Sequence, residues 1–143
     1  MATEGKTEKR SSTDAELLVF FEALAQKKAM NVVALDLGGA SSIADVFLLA
    51  SGRSTRQVIA VAEAMERFLK NRGRRPLGVE GKEDGRWVLL DYGDVLVHVF
   101  HEPVRSFYDL EGLWADACRV YPPAGLVPAE EPESFDSDEL DDE

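Results

Sequence analysis

The sequence predicts an α/β fold, a mixed β-sheet with helices packed mainly on one face. Three observations carry that expectation. Amphipathic stretches opening on capping signals alternate with short β-branched runs, in the order α-β-β-α-β-β-β-α. Two alternating apolar runs, 86–91 and 94–100, flank Tyr92-Gly93 at the spacing of a hairpin. Finally, 143 residues at 45% hydrophobic and 30% charged suffice for one core and are too few for two.

Each element follows from local chemistry. Thr13 and Glu16 fit a capping box, in which hydroxyl and carboxylate satisfy free backbone N–H groups reciprocally. Leu17, Leu18, Phe21 and Leu24 then recur at helical spacing, so a helix is expected over 14–28. Residues 32–37 (VVALDL) read as a strand stopped by Gly38-Gly39, and 44–50 (ADVFLLA) as a second. Ser54 with Gln57 repeats the capping box ahead of the stripe Val58, Val61, Ala62, Met65, Phe68 and Leu69, predicting a helix over 55–72. Pro76 opens a short strand, and Pro103 suits the first turn of a last helix. That helix is expected to carry Phe107, Leu110, Trp114 and Ala117 on one side and to fade near Tyr121.

The hairpin says most about function. A turn at Tyr92-Gly93 pairs Asp91 with Asp94, Leu90 with Val95, Leu89 with Leu96, Val88 with Val97 and Trp87 with His98. Side chains alternate between faces. One face is then Val88, Leu90, Val95, Val97 and Val99, which must lie under the helices. The other shows Trp87, Leu89, Asp91, Asp94, Leu96, His98 and Phe100. Large, aromatic and polar at once, it has the composition of a protein-binding surface, with Trp87 as an anchor rather than a core residue.

Charge is unevenly placed. The net charge is −11, and residues 129–143 hold nine acids with no Lys or Arg, leaving −2 for residues 1–128. Such a balance disfavours direct binding to DNA or RNA phosphates and leaves a basic protein as a suitable partner. Residues 1–12 are expected as a disordered N-terminal segment, 13–121 as the folded domain and 122–143 as a disordered acidic tail. No apolar stretch is long enough to cross a membrane. The start lacks the apolar segment of a targeting peptide, and a single cysteine, Cys118, fits the reducing cytoplasm.

Catalytic signatures are sparse. His98 and His101, three apart on a strand, face opposite ways and cannot share a metal. With one cysteine, a structural zinc site is not expected, and neither a G-x-S-x-G elbow nor a Walker A loop is present. Gly38-Gly39 reads as a tight connection. Gly52-Arg53-Ser54-Thr55 runs from a strand into a helix N-terminus, where helix capping alone accounts for Ser54. Asp36, Asp45, Asp91 and Asp94 lie in or near strands, where clustered carboxylates can hold Mg²⁺ for nucleotidyl transfer. Such sites need two acids on one strand, two residues apart, and the Asp136-x-Asp138 pair falls in the tail. No cofactor or metal is expected, and a Mg²⁺-dependent nucleotidyltransferase stands as the alternative reading.

Residues 34–65 (ALDLGGASSIADVFLLASGRSTRQVIAVAEAM), 76–81 (PLGVEG), 87–100 (WVLLDYGDVLVHVF) and 105–114 (RSFYDLEGLW) closely resemble the Iojap family, known in bacteria as ribosomal silencing factor S. The match covers roughly residues 14–118, in consistent order and spacing. The resemblance implies a nucleotidyltransferase-like fold without catalytic acids, and a non-enzymatic role. It implies binding to a ribosomal protein on the interface face of the large ribosomal subunit, the fourteenth of the large-subunit series. Occupying that face would block association with the small subunit and repress translation under nutrient limitation. Relatives in organelles are linked to large-subunit biogenesis, and the resemblance further implies a homodimer.

Overall fold

The computed structural model describes residues 15–39 and 41–126. Thr13 of the first capping box, residues 1–12 and the nine tail acids lie outside the described residues. Helix α1 occupies residues 15–25 and buries Leu17, Phe20, Phe21, Ala23 and Leu24, while Leu18 turns outward. Strand β1 (Met30–Asp36) and strand β2 (Val46–Gly52) are antiparallel. Asn31, at φ +51°, lies where their register shifts, between Met30 and Val33.

Helix α2 (Thr55–Lys70) starts as the capping box requires. The Gln57 N–H donates to Ser54 Oγ at 3.1 Å, and Gln57 Oε1 accepts the Arg53 N–H at 2.7 Å, one residue ahead of the cap. The Gln57 amide also donates to the carbonyls of Lys27 and Lys28, tying the end of α1 to the start of α2. Strands β3 (Gly78–Glu80), β4 (Trp87–Asp91) and β5 (Val95–His101) follow. The sheet has six strands in the order β3-β4-β5-β2-β1-β6. Strand β2 runs parallel to β5, and the other pairings are antiparallel. The β2–β5 connection passes through α2, as a parallel pair requires a crossover.

Alternation along the strands divides the core in two. Val32, Ala34, Val46, Leu48, Ala50, Val88, Leu90, Val95, Val97 and Val99 meet α1 and α2 on the first face. Val33, Leu35, Phe47, Leu49, Leu96 and Phe100 point to the second. Strands β1 and β2 are buried on both sides, which is why they read as near-continuous apolar runs.

The hairpin turn differs from the expectation. Tyr92 pairs with Val95, its N–H donating to the Val95 carbonyl at 2.9 Å, so the two turn residues are Gly93 and Asp94. Gly93 takes φ +92°, which suits the first central position of a two-residue hairpin loop. The partners become Leu90 with Val97, Leu89 with His98 and Trp87 with Phe100. The slide is two residues, an even number, so both face assignments survive. Tyr92 is drawn inward because its ring packs edge-on against Phe20, with centroids 5.3 Å apart.

The expected last helix is also broken. Helix α3 (Glu102–Tyr108) stops at Asp109, whose φ of +51° ends the helix. Asp109 then accepts the Gly112 N–H at 3.1 Å and caps the single turn α4 (Leu110–Leu113). Beyond it, strand β6 (Cys118–Val120) pairs antiparallel with β1. Residues 121–126 are described as well, and Leu126 packs against the first-face core.

Candidate docking face

The second sheet face is only partly open. Val104 of α3, Leu110 of α4, Trp114 and Ala117 pack over it. Leu96 keeps 8% of its surface, His98 4% and Phe100 none. These three were expected in an exposed protein-binding face and are instead beneath a roof, because the segment after β5 folds back across its own strand. Trp87, Leu89, Asp91 and Asp94 remain half-buried.

Trp87 joins roof, sheet and surface. Its ring centroid lies 4.9 Å from Phe100, 5.9 Å from His98 and 4.8 Å from Tyr108 of α3. Its Nε1–H donates to His98 Nδ1 at 3.1 Å. Trp87 is therefore held in place by packing as well as being partly open to solvent. Gly81 lets the β3–β4 turn lie against the Trp87 carbonyl, where φ +88° and a clash with any Cβ demand glycine.

His98 packs between Phe47, centroid 4.9 Å away, and Phe100, stacked at 8°. Burial pushes its pKa down from 6.5 to about 4. The neutral ring accepts at Nδ1 and carries its proton on Nε2, which is buried without a hydrogen-bond partner among the described residues.

Asp91 and Asp94 do not oppose each other as expected. Asp91 accepts the Gly93 N–H at 2.9 Å and shapes the turn. Asp94 pairs with Arg74 at 3.1 Å, and the same guanidinium donates to the Tyr92 carbonyl at 3.3 Å. Asp36, the third strand acid, accepts the Gly38 N–H at 3.0 Å. Among the described residues, no group of three or more His, Cys, Asp or Glu side chains could hold a metal ion.

Sequence reasoning missed the roof and what it displays. Phe107 is 80% exposed, Tyr108 52% and Leu113 72%. Phe107, Tyr108 and Trp87 border an open groove of about 440 Å³ beside Arg86 and Asp84. The adjacent aromatics Phe107-Tyr108 were the available signal, since a short amphipathic helix cannot bury two neighbours on one stripe. Arg105 was also missed. It is buried, donates to the Asn31 carbonyl at 2.7 Å and to Ser51 Oγ at 2.8 Å, and forks onto Glu111 at 2.8 and 3.3 Å. It thereby bolts α3 to β1, β2 and α4.

The fold and this face define an α/β sandwich whose second layer is a short C-terminal roof over an aromatic sheet. The family of ribosomal silencing factors during starvation matches residues 10–142. The chain belongs to that family. A ribosomal silencing factor of Halalkalibacterium halodurans is 48% identical over 98 residues, covering 68% of this chain and 84% of that one. A crystal structure of a protein from Bacillus halodurans superposes with a TM-score of 0.67 at 41% identity, covering 76% of this chain and 98% of that one. More distantly, a mouse protein named for mitochondrial assembly of the ribosomal large subunit is 30% identical over 104 residues, which are 71% of this chain and 45% of that protein. The relatives of Halalkalibacterium halodurans and Bacillus subtilis are both named ribosomal silencing factors.

Proposed function

We propose that this chain is a non-enzymatic, cytoplasmic translation repressor that docks on a ribosomal protein at the interface face of the large subunit. Bound there, it obstructs joining of the small subunit under nutrient limitation, and it also aids large-subunit biogenesis. Family membership supports the ribosomal role. The docking reading is carried by one observation, the exposed Phe107 and Tyr108 set beside a Trp87 that is rigidly held from below. Large aromatics that need no reordering on contact are the residues that dominate binding energy. Leu89, Asp91 and Asp94 continue the surface along β4 and its turn, where the acids suit a basic protein partner. A homodimer is part of the reading, formed by a surface other than this face so that docking remains free.

Co-sedimentation with isolated large subunits tests it. Phe107→Ala with Tyr108→Ala should weaken binding by about 30-fold or more, equivalent to about 2 kcal/mol, as loss of interface anchors does. Phe107 is too exposed to contribute to the core, so the double variant should stay folded by circular dichroism. Binding at wild-type strength would remove this face from the interface. Adding small subunits separates the two roles: the wild-type chain should lower the fraction of joined subunits. Undiminished joining with the chain bound would sink the blocking mechanism.

A further inference from the structure

Away from the roofed face, the end of α2 carries a concentration of positive charge that the proposed docking does not use. Arg67, Lys70, Arg72 and Arg75 fall within nine residues and are all exposed. The helix dipole accounts for Arg67 and Lys70, which occupy the last turn. It does not account for Arg72 and Arg75, which lie beyond the Asn71 cap. Among the described residues none of the four has an ion-pair partner, although neighbouring cations do: Arg74 pairs with Asp94, and Lys82 with Glu66. Arg72 is held ready, its guanidinium carbon 3.8 Å from the centre of the Phe68 ring.

We infer that this basic strip is the docking surface for the acidic segment 129–143 of the same chain. Charge complementarity points there, with four cations that have no ion-pair partner among the described residues and nine acids on the segment. Placement agrees. The described chain ends at Leu126, packed against the first-face core, the layer over which α1 and α2 lie. Extended chain covers up to about 3.3 Å per residue, so the 17 residues beyond Leu126 reach up to about 56 Å. Helix α2, with 16 residues, is only about 24 Å long. Tethering gives the segment a local concentration of about the millimolar range.

Carbodiimide cross-linking of the full chain, mapped by mass spectrometry, provides the test, since Lys70 supplies an amine inside the strip. Lys27 and Lys28, exposed at the end of α1 on the same layer, serve as controls. At about 10 mM salt, where the screening length is about 30 Å, links from Lys70 to Glu130–Glu143 should exceed those from Lys27 or Lys28 about fivefold. At about 1 M salt, with screening at about 3 Å, the excess should vanish. Arg67→Gln, Arg72→Gln and Arg75→Gln together should also remove it while leaving the fold unchanged by circular dichroism. Equal linking at all three lysines at low salt would overturn the proposal. So would links found only in cross-linked dimers, which would assign the strip to a second copy. Absence of the Lys70 excess at low salt, with single-stranded RNA bound by the full chain and released by the triple Gln variant, would overturn it too, assigning the strip to nucleic acid.

Discussion

At Trp87 the indole N–H donates to a buried imidazole while the ring packs against Tyr108 and Phe100. Truncating it removes aromatic contacts, opens a void and strips His98 of its partner. Trp87→Ala should therefore cost about 2–4 kcal/mol of stability, below the range for a fully buried Trp because part of the ring is already wet. Urea denaturation checks this, and an unchanged midpoint would mean the ring contributes only at an interface. His98 sets a pH dependence whose sign follows from its lowered pKa. Between pH 6.5 and about 4 the unfolded chain binds a proton that the folded chain refuses, so stability is lost as the pH drops through that window. The full loss is on the order of 3 kcal/mol for a depression from 6.5 to about 4. Protonation would also set an Nδ1–H against the Trp87 N–H, two donors face to face. His98→Phe should flatten the profile between pH 6.5 and 4.5 relative to wild type. Parallel wild-type and variant profiles would show that other groups govern acid sensitivity.

Among the elements, α3 depends on one side chain. Arg105 gives the bulged Asn31 carbonyl, Ser51 and Glu111 their charged donor, and replacing it leaves those acceptors facing a dry contact. Arg105→Met should cost about 2–3 kcal/mol, since Glu111 keeps some access to water. Amide exchange in 102–113 should accelerate while α2 stays protected, and uniform protection would refute the bolt. Helix α2 was legible in the sequence because the Ser54–Gln57 cap and the apolar stripe agree with one another. The hairpin's faces were legible for another reason: a slide of two residues preserves alternation. Its turn was not, because Tyr92-Gly93 and Gly93-Asp94 both make two-residue loops, and only the Phe20 contact decides that Tyr92 goes inward. Strand β6 was hidden because Leu110, Trp114 and Ala117 mimic a helical stripe across a chain that Asp109 in fact bends. The candidate face suffered most. Its residues do share one side of the sheet, yet Leu96, His98 and Phe100 lie under a roof that no local pattern announces.

For the molecule as a whole, the two-layered core makes both sheet faces obligatory. Ending the chain after Ala117 would remove β6, Leu126 and one flank of β1 together. Such a chain should keep α2 and the hairpin yet aggregate at concentrations where the full chain stays clear, because β1 would present an unpaired, doubly apolar edge. Light scattering beside far-ultraviolet circular dichroism checks this, and a clear, folded truncation would show that β6 is dispensable. The same edge has a history within each synthesis. Strand β1 is made early and β6 near the end, so β1 leaves the exit tunnel long before its outer neighbour exists. During that interval the nascent chain carries an open template for any extended segment it meets. The speed at which the ribosome translates the stretch between them sets how long that exposure lasts.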